Sequence, residues 1–543
     1  MEKLKHGCFI QRKMTAFVLA IVLFLTATYF GAGFSLSKVA AKSAVSMNVS
    51  AAISGSNVVV TATAGSVPAT DDGNLYLYAS DVWSADKGSE VARTAAAATA
   101  TFTFALSNDS ADSKLYKKFT VYANVGGTLT AISNSAYITN PEAIADHTAN
   151  RLSVGKKGLI PDASRISTQA GASELDSMGV HQISYDLRLS QIFNSGGNQI
   201  SYNYNGKTYN FNQALVNAYD SLMIFFKNHG IQVSVVILND WQDDVTLIHP
   251  NAREAGHVYY ALNAAEQAGA EKIAALGSFL ASRYCGGSLG QIDNYILGNE
   301  VNARDEWNYM SYMTTDAYAV EYANAFRVFY NAVKSENASA RVYLPLDQQW
   351  AKTNQPTRYH AGKEFLNSFN TYISSQGNIG WDVVTHPYSV EMDKNPTAWS
   401  HKASYVSHSQ SSWFVTMQNI DVLTDYLCQT SLLKPDGSVR RVLCAEVGYT
   451  SSYGEEYQAA SFVYGYKQAE ANQYIDGFIY RSWLDNEVEL SQNLANGLCN
   501  VDGSHKMVYD YYVNIDKDSA QSYIDSACSI IGVSDLSSIL TVR

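Results

Sequence analysis

The chain has 543 residues and a formal net charge of −12; 46% of the residues are hydrophobic and 16% are charged. This length favours two folded units rather than one, and the hydrophobic share excludes an intrinsically disordered chain. The acidic balance argues against a nucleic-acid partner, because phosphate-binding surfaces need clustered lysine and arginine.

The first 41 residues have the order of an export leader. Four lysines and arginines within the first 13 residues precede an apolar run over residues 15–34, and small residues follow at 39–41. This order is the one that export machinery recognises, so we expect a secreted or extracellular protein of bacterial type. The apolar run is long enough to cross a bilayer once, so an uncleaved anchor that holds the protein at the cell surface is the alternative.

Residues 45–140 are poor in helix signals and rich in alanine, serine, threonine and valine. Short alternating stretches recur in this region, at 57–64, 75–79, 99–106, 119–125 and 129–138. Alternation with period two at this spacing predicts a small β-sandwich. Such a domain could bind sugar or act as a spacer, and we expect a spacer because no ligand pattern stands out.

After a polar linker over residues 141–152, strand-like and helix-like segments alternate to the end of the chain. The eight predicted strands are 157–161, 181–189, 232–239, 292–300, 341–347, 381–387, 440–447 and 475–483. The predicted helices are 173–178, 213–228, 258–284, 316–336, 363–374, 413–428, 455–473 and those within 506–531. Eight such units predict a (β/α)8 TIM barrel over residues 153–543, with a doubly wound open sheet as the alternative.

Five cysteines follow the leader region, at positions 285, 428, 444, 499 and 528. Their odd number and the absence of a CxxC spacing fit neither a disulfide framework nor a zinc site. The sequence therefore predicts no metal ion and no other cofactor.

Polar residues end several of the predicted barrel strands, where barrel enzymes carry their active sites. The fourth strand ends in Asn299 and Glu300, and the seventh ends in Glu446. Cleavage of a glycosidic bond needs two carboxyl groups that face each other. One protonates the leaving oxygen, and the other attacks the anomeric carbon or activates water. The sequence thus predicts a glycoside hydrolase with a carbohydrate substrate, and environment should keep one carboxyl group protonated and the other ionised.

This arrangement resembles the clan A retaining β-glycoside hydrolases, over roughly residues 155–543. In that clan an Asn–Glu pair ends the fourth strand and a glutamate ends the seventh strand. The resemblance implies that Glu300 is the acid/base, that Glu446 is the nucleophile and that Asn299 binds the sugar 2-hydroxyl. It does not fix the sugar or the linkage.

The resemblance also implies roles for four residues at other strand ends. His386 and Tyr388 on the sixth strand correspond to groups that orient the nucleophile, and Arg188 on the second strand to an arginine that contacts it. Trp483 on the eighth strand corresponds to a tryptophan that forms the floor of a sugar subsite. From its position alone, Asn239 at the end of the third strand is a further candidate sugar contact.

Structural alternatives stand beside these functional assignments. Glu300 could cap the following helix, and Glu446 could form an ion pair with Arg188 or Arg481. At the level of the whole protein, one alternative is a non-catalytic, glycan-binding cell-surface protein on the same barrel. Another is a structural envelope protein whose barrel mouth is blocked by the loops at 241–256 and 392–412.

Overall fold

The computed structural model describes residues 46–543, which begin with a small all-β domain. Its two antiparallel sheets have the strand orders β1-β2-β5 and β4-β3-β6-β7. The strands are β1 Asn48–Ser54, β2 Asn57–Thr63, β3 Asn74–Ser80, β4 Ser89–Ala95, β5 Thr99–Ala105, β6 Lys118–Val125 and β7 Thr128–Ala131. Inward positions of β2 and β3, such as Val58, Val60 and Leu75, are buried while their neighbours are partly exposed. The predicted β-sandwich is confirmed.

The predicted leader, residues 1–41, lies outside the described residues. Within residues 46–543, we find no helix with the length and apolar character needed to cross a membrane.

The rest of the described chain is built around a closed barrel of eight parallel strands. The barrel strands are β8 Lys157–Leu159, β9 Gln182–Arg188, β10 Gln232–Leu238, β11 Asn294–Leu297, β12 Arg341–Leu346, β13 Asp382–Thr385, β14 Val442–Val447 and β15 Ile475–Tyr480. Most of them are buried on both faces; all seven residues of β10, for example, are buried. The predicted TIM barrel and the order of its eight strands are confirmed.

Thirteen α-helices lie among the described residues, and most of them surround the barrel. They are α1 Ala163–Ile166, α2 Gln169–Met178, α3 Leu189–Ile192, α4 Gln213–Asn228, α5 Gln267–Arg283, α6 Arg304–Trp307, α7 Thr315–Glu336, α8 Gly362–Ser375, α9 Asp421–Leu427, α10 Glu455–Glu470, α11 Glu487–Leu490, α12 Met507–Asn514 and α13 Ala520–Ile531. In α7, the Thr314 side chain accepts a hydrogen bond from Ala317 N and so caps the helix, while Tyr318, Tyr322 and Phe326 form part of its buried face.

Two predicted helices are shorter than their sequence pattern suggested. The helix predicted from residue 258 begins only at Gln267, because Asn263 Oδ1 accepts the backbone N–H groups of Ala265 and Glu266 and holds a turn there. The helix predicted over 413–428 is limited to α9. A β-hairpin formed by Gln199–Tyr204 and Lys207–Asn212 was not predicted.

Candidate active site

The carboxyl ends of the barrel strands open into a cleft of about 790 Å³, a volume in the usual range of small-molecule sites. Its walls carry six carboxylates, two arginines and several aromatic rings, among them Asp186, Arg188, Tyr259, Asn299, Glu300, Glu306, Trp307, Asp347, Tyr359, His386, Tyr388, Phe414, Glu446, Arg481 and Glu489. The loop that begins at Met392 borders this cleft without filling it. The blocked mouth expected for a structural envelope protein is therefore absent from the described part of the chain.

Glu300 projects into the cleft just beyond the end of β11. Gly298 has a φ of +89° and lets the chain turn sharply out of the barrel, and Glu300 itself has a φ of +38°. A non-glycine residue in this left-handed region is unfavourable, and such strain is concentrated at functional sites. Glu300 Oε1 lies 2.8 Å from His386 Nδ1.

Glu446 lines the same cleft and is held by two donors. The Tyr388 hydroxyl donates to Glu446 Oε2 at 3.0 Å, and Arg481 Nη1 donates to the same oxygen at 3.1 Å. Burial alone would raise the pKa of Glu446, but the charges of His386 and Arg481 and these hydrogen bonds outweigh it and hold this pKa below its usual value. Glu446 is therefore ionised at neutral pH.

His386 is hydrogen-bonded to Glu300 and interacts with Glu446 through its charge. Its ring is buried, and burial alone would lower its pKa; the negative charge of Glu446 and the hydrogen bond to Glu300 outweigh burial and raise it. A protonated imidazole at this position favours the ionised form of Glu446. His386 lines the cleft, as expected from the sequence, but its hydrogen bond goes to Glu300 and not to the expected nucleophile.

The cation beside Glu446 is Arg481, which directly follows β15, and not Arg188 of β9. Arg481 binds Glu446 through Nη1 and Glu489 through Nη2, whereas the structure gives Arg188 no hydrogen bond to Glu446. The contact expected of Arg188 is thus made by Arg481. The ion pair with Glu446 engages only Oε2, and its carboxylate remains reachable from the cleft because the side chain is 20% exposed.

Two predicted sugar contacts do not line the cleft. Trp483 is 0% exposed, and its indole N–H donates to Glu174 Oε1 behind the cleft wall. Asn239 is 3% exposed, and its amide donates to the carbonyls of Leu247, Tyr260 and Ala261. Both predictions as sugar contacts are wrong, because these side chains support loops from within.

Four of the six carboxylates in the cleft were not predicted, and two of these, Asp186 and Asp347, have raised pKa values. Asp186, on β9, faces the cleft, and its depth there together with the charge of Glu446 raises its pKa to about 6. Asp347 follows β12 directly, and burial together with the charge of Glu300 raises its pKa to about 7. Their position at strand ends is a usable signal, although many polar residues share it.

The fold and the cleft together define a (β/α)8-barrel protein with a carboxylate-rich site at the C-terminal ends of its strands. The chain belongs to a family of unknown function (DUF5722), whose model matches residues 147–539. No curated protein sequence matches the chain significantly.

Several solved structures are similar to this chain at low sequence identity. A family 39 glycoside hydrolase of the gut symbiont Bacteroides cellulosilyticus is 12% identical, with 83% of this chain and 79% of that chain covered and a TM-score of 0.45. A β-glucosidase of Pyrococcus furiosus is 13% identical, with 66% and 86% covered and a TM-score of 0.41. A β-glycosidase of Thermosphaera aggregans is 15% identical, with 64% and 86% covered and a TM-score of 0.40. Similarity of fold at this level does not determine activity.

Proposed function

We propose that the protein is a glycoside hydrolase that cleaves a polysaccharide or oligosaccharide with retention of configuration. The observation that supports this proposal is the presence of Glu300 and Glu446 in one open cleft, each with its own hydrogen-bonding partner. Binding alone does not need two such carboxylates, whereas glycosidic cleavage does.

Glu446 is the nucleophile in this proposal, because its surroundings keep it ionised. Its carboxylate attacks the anomeric carbon, and the bond from that carbon to the leaving oxygen breaks. Glu300 gives its proton to the leaving oxygen, and its contact with His386 Nδ1 holds the carboxyl group in position.

The second step reverses these roles. Glu300, now a carboxylate, takes a proton from water, and the resulting hydroxyl attacks the anomeric carbon of the glycosyl-enzyme. The ester bond to Glu446 breaks, which releases the sugar with its original configuration and restores both groups. While the ester exists, Glu446 carries no charge, so His386 loses one of the two carboxylates that favour its protonated form.

The sequence of residues 1–41 leads us to propose export as well, either by secretion or by anchoring at the cell surface. A glycan-binding protein without catalysis is the second candidate, and the ion pair between Arg481 and Glu446 is the observation that favours it. An ion-paired carboxylate can be purely structural.

Hydrolysis of a panel of nitrophenyl glycosides and of plant and microbial polysaccharides separates the two candidates. We expect Glu300→Gln and Glu446→Gln to lower the rate by about 10²–10⁴-fold. Glu487→Gln is the matched control, since Glu487 also follows an asparagine but lies exposed at the start of α11. NMR should show the product anomer with retained configuration. Glycan binding that survives both substitutions, without hydrolysis, would establish the second candidate instead.

A further inference from the structure

Behind the cleft wall, three side chains with metal-binding atoms meet. Glu174 lies in α2, whereas Cys499 and His505 flank a tight turn that precedes α12. A carboxylate oxygen of Glu174, the sulfur of Cys499 and a ring nitrogen of His505 all lie within 4.8 Å of one another. We propose that these three side chains bind a divalent transition-metal ion, and that Zn²⁺ fits them best.

The donor set selects zinc over the alkaline-earth ions. Thiolate, imidazole and carboxylate are the three ligand types that Zn²⁺ takes in proteins, while Ca²⁺ and Mg²⁺ prefer oxygen ligands throughout. Bonds of about 2.0–2.3 Å place tetrahedral ligand atoms roughly 3.3–3.8 Å apart. His505 Nε2 and Glu174 Oε1 already lie 3.3 Å apart, and water can fill the fourth position.

Backbone structure fixes two of the three ligands. Cys499 and His505 face each other in an isolated antiparallel bridge, and the turn between them is closed by a hydrogen bond of 2.9 Å from Asn500 N to Ser504 O. The His505 ring stacks on Tyr509 with 3.5 Å between ring centroids. The site is thus formed by the fold and does not depend on a flexible segment.

The third ligand has the outer hydrogen bonds that metal-binding carboxylates usually have. Trp483 Nε1 donates to Glu174 Oε1 at 3.2 Å, and Arg165 binds Oε2. Arg165 thereby orients the carboxylate so that Oε1 faces His505. This arrangement also gives a role to Trp483, which the cleft does not use.

Binding requires one proton transfer. The Cys499 thiol releases its proton to solvent and coordinates the ion as a thiolate. The side chain of His505 is 48% exposed, so an ion can enter from solvent. Because the ligands come from α2 and from the segment after β15, a bound ion would tie these elements together and stabilise the folded state. This inference does not depend on the proposed hydrolase activity.

Metal binding to the chelator-treated full-length protein tests the proposal. We expect one equivalent of Zn²⁺ by calorimetry, a rise in Tm of roughly 2–5 °C and, with Co²⁺ as the probe, a thiolate-to-cobalt absorption band. Cys499→Ser and His505→Ala should weaken binding by at least about 10-fold and remove the band. Cys428→Ser and His408→Ala are matched controls, because Cys428 is exposed and His408 pairs with Asp421 away from these ligands.

Absence of the cobalt band from folded wild-type protein would overturn the proposal, even if a variant proved unstable. Loss of the band in Cys428→Ser, or unchanged zinc affinity in a folded Cys499→Ser/His505→Ala double variant, would overturn it too.

Discussion

The Tyr388 hydroxyl donates a hydrogen bond to Glu446 Oε2 across 3.0 Å. Tyr388 follows the sixth barrel strand and Glu446 lies on the seventh, so this hydrogen bond depends on barrel closure and not on local sequence. It stabilises the ionised form of Glu446, which is the form that a nucleophile needs.

Replacement of Tyr388 by phenylalanine should raise the pKa of Glu446, because one donor to its carboxylate is lost. The carboxylate must be ionised to react, so the acidic limb of the pH profile of kcat/KM should move to higher pH, with a loss in rate of about 10-fold. Tyr312→Phe, at an exposed ring, is the control. An unchanged acidic limb would show that Tyr388 does not tune the nucleophile.

Arg481→Met should shift the acidic limb of the pH profile of kcat/KM more than Arg188→Met does. Arg481 bonds to both Glu446 and Glu489, whereas Arg188 makes no hydrogen bond to Glu446 in the structure. We expect Arg481→Met to move the acidic limb upward and lower kcat/KM by about 10²-fold, and Arg188→Met to leave the limb in place. A larger shift for Arg188→Met than for Arg481→Met would show instead that Arg188 stabilises the ionised form of Glu446.

His386→Gln should change the pH dependence of stability. The pKa of His386 is raised in the folded state, so its protonation stabilises the fold fully below its unfolded pKa of about 6.5. That contribution is lost as the pH rises through the folded-state value. In urea unfolding, the free energy of unfolding of the wild type should exceed that of His386→Gln by the largest amount near pH 5.5 and by a smaller amount near pH 9. A difference that is independent of pH would contradict the assigned protonation.

The cleft should disfavour negatively charged sugars. Its walls carry six carboxylates against two arginines, and Arg481 is already paired with Glu446 and Glu489. Like charges repel within a screening length of about 10 Å. We therefore expect neutral glycans to be cleaved faster than uronate-containing analogues. The difference between the two cleavage rates should decrease as salt is added. Faster cleavage of uronates would point to Arg188 as a carboxylate-binding residue.

The sequence predicted the barrel well because most of the parallel strands are apolar runs that are followed by polar residues. Glu446, for example, follows four buried residues of β14. Side-chain direction beyond a strand end was not predictable in the same way. After Tyr480 the chain leaves the barrel, and Arg481 faces the cleft while Trp483 turns to Glu174.

Asp186 and Asp347 were missed for a related reason. Their pKa values are raised first by burial in the cleft and then by the charges of Glu446 and Glu300, which are distant in the chain. Only the closed barrel brings these charges together, so no local pattern distinguishes the two aspartates from ordinary strand-end residues.

The most direct test of the proposed mechanism is covalent labelling of the nucleophile by a cyclitol epoxide that matches the glycan found to be cleaved. The proposed mechanism predicts one label per protein, mapped by peptide mass spectrometry to Glu446, with simultaneous loss of activity and no label on Glu446→Gln. A label on another residue, or full hydrolysis by the Glu446→Gln variant, would contradict it.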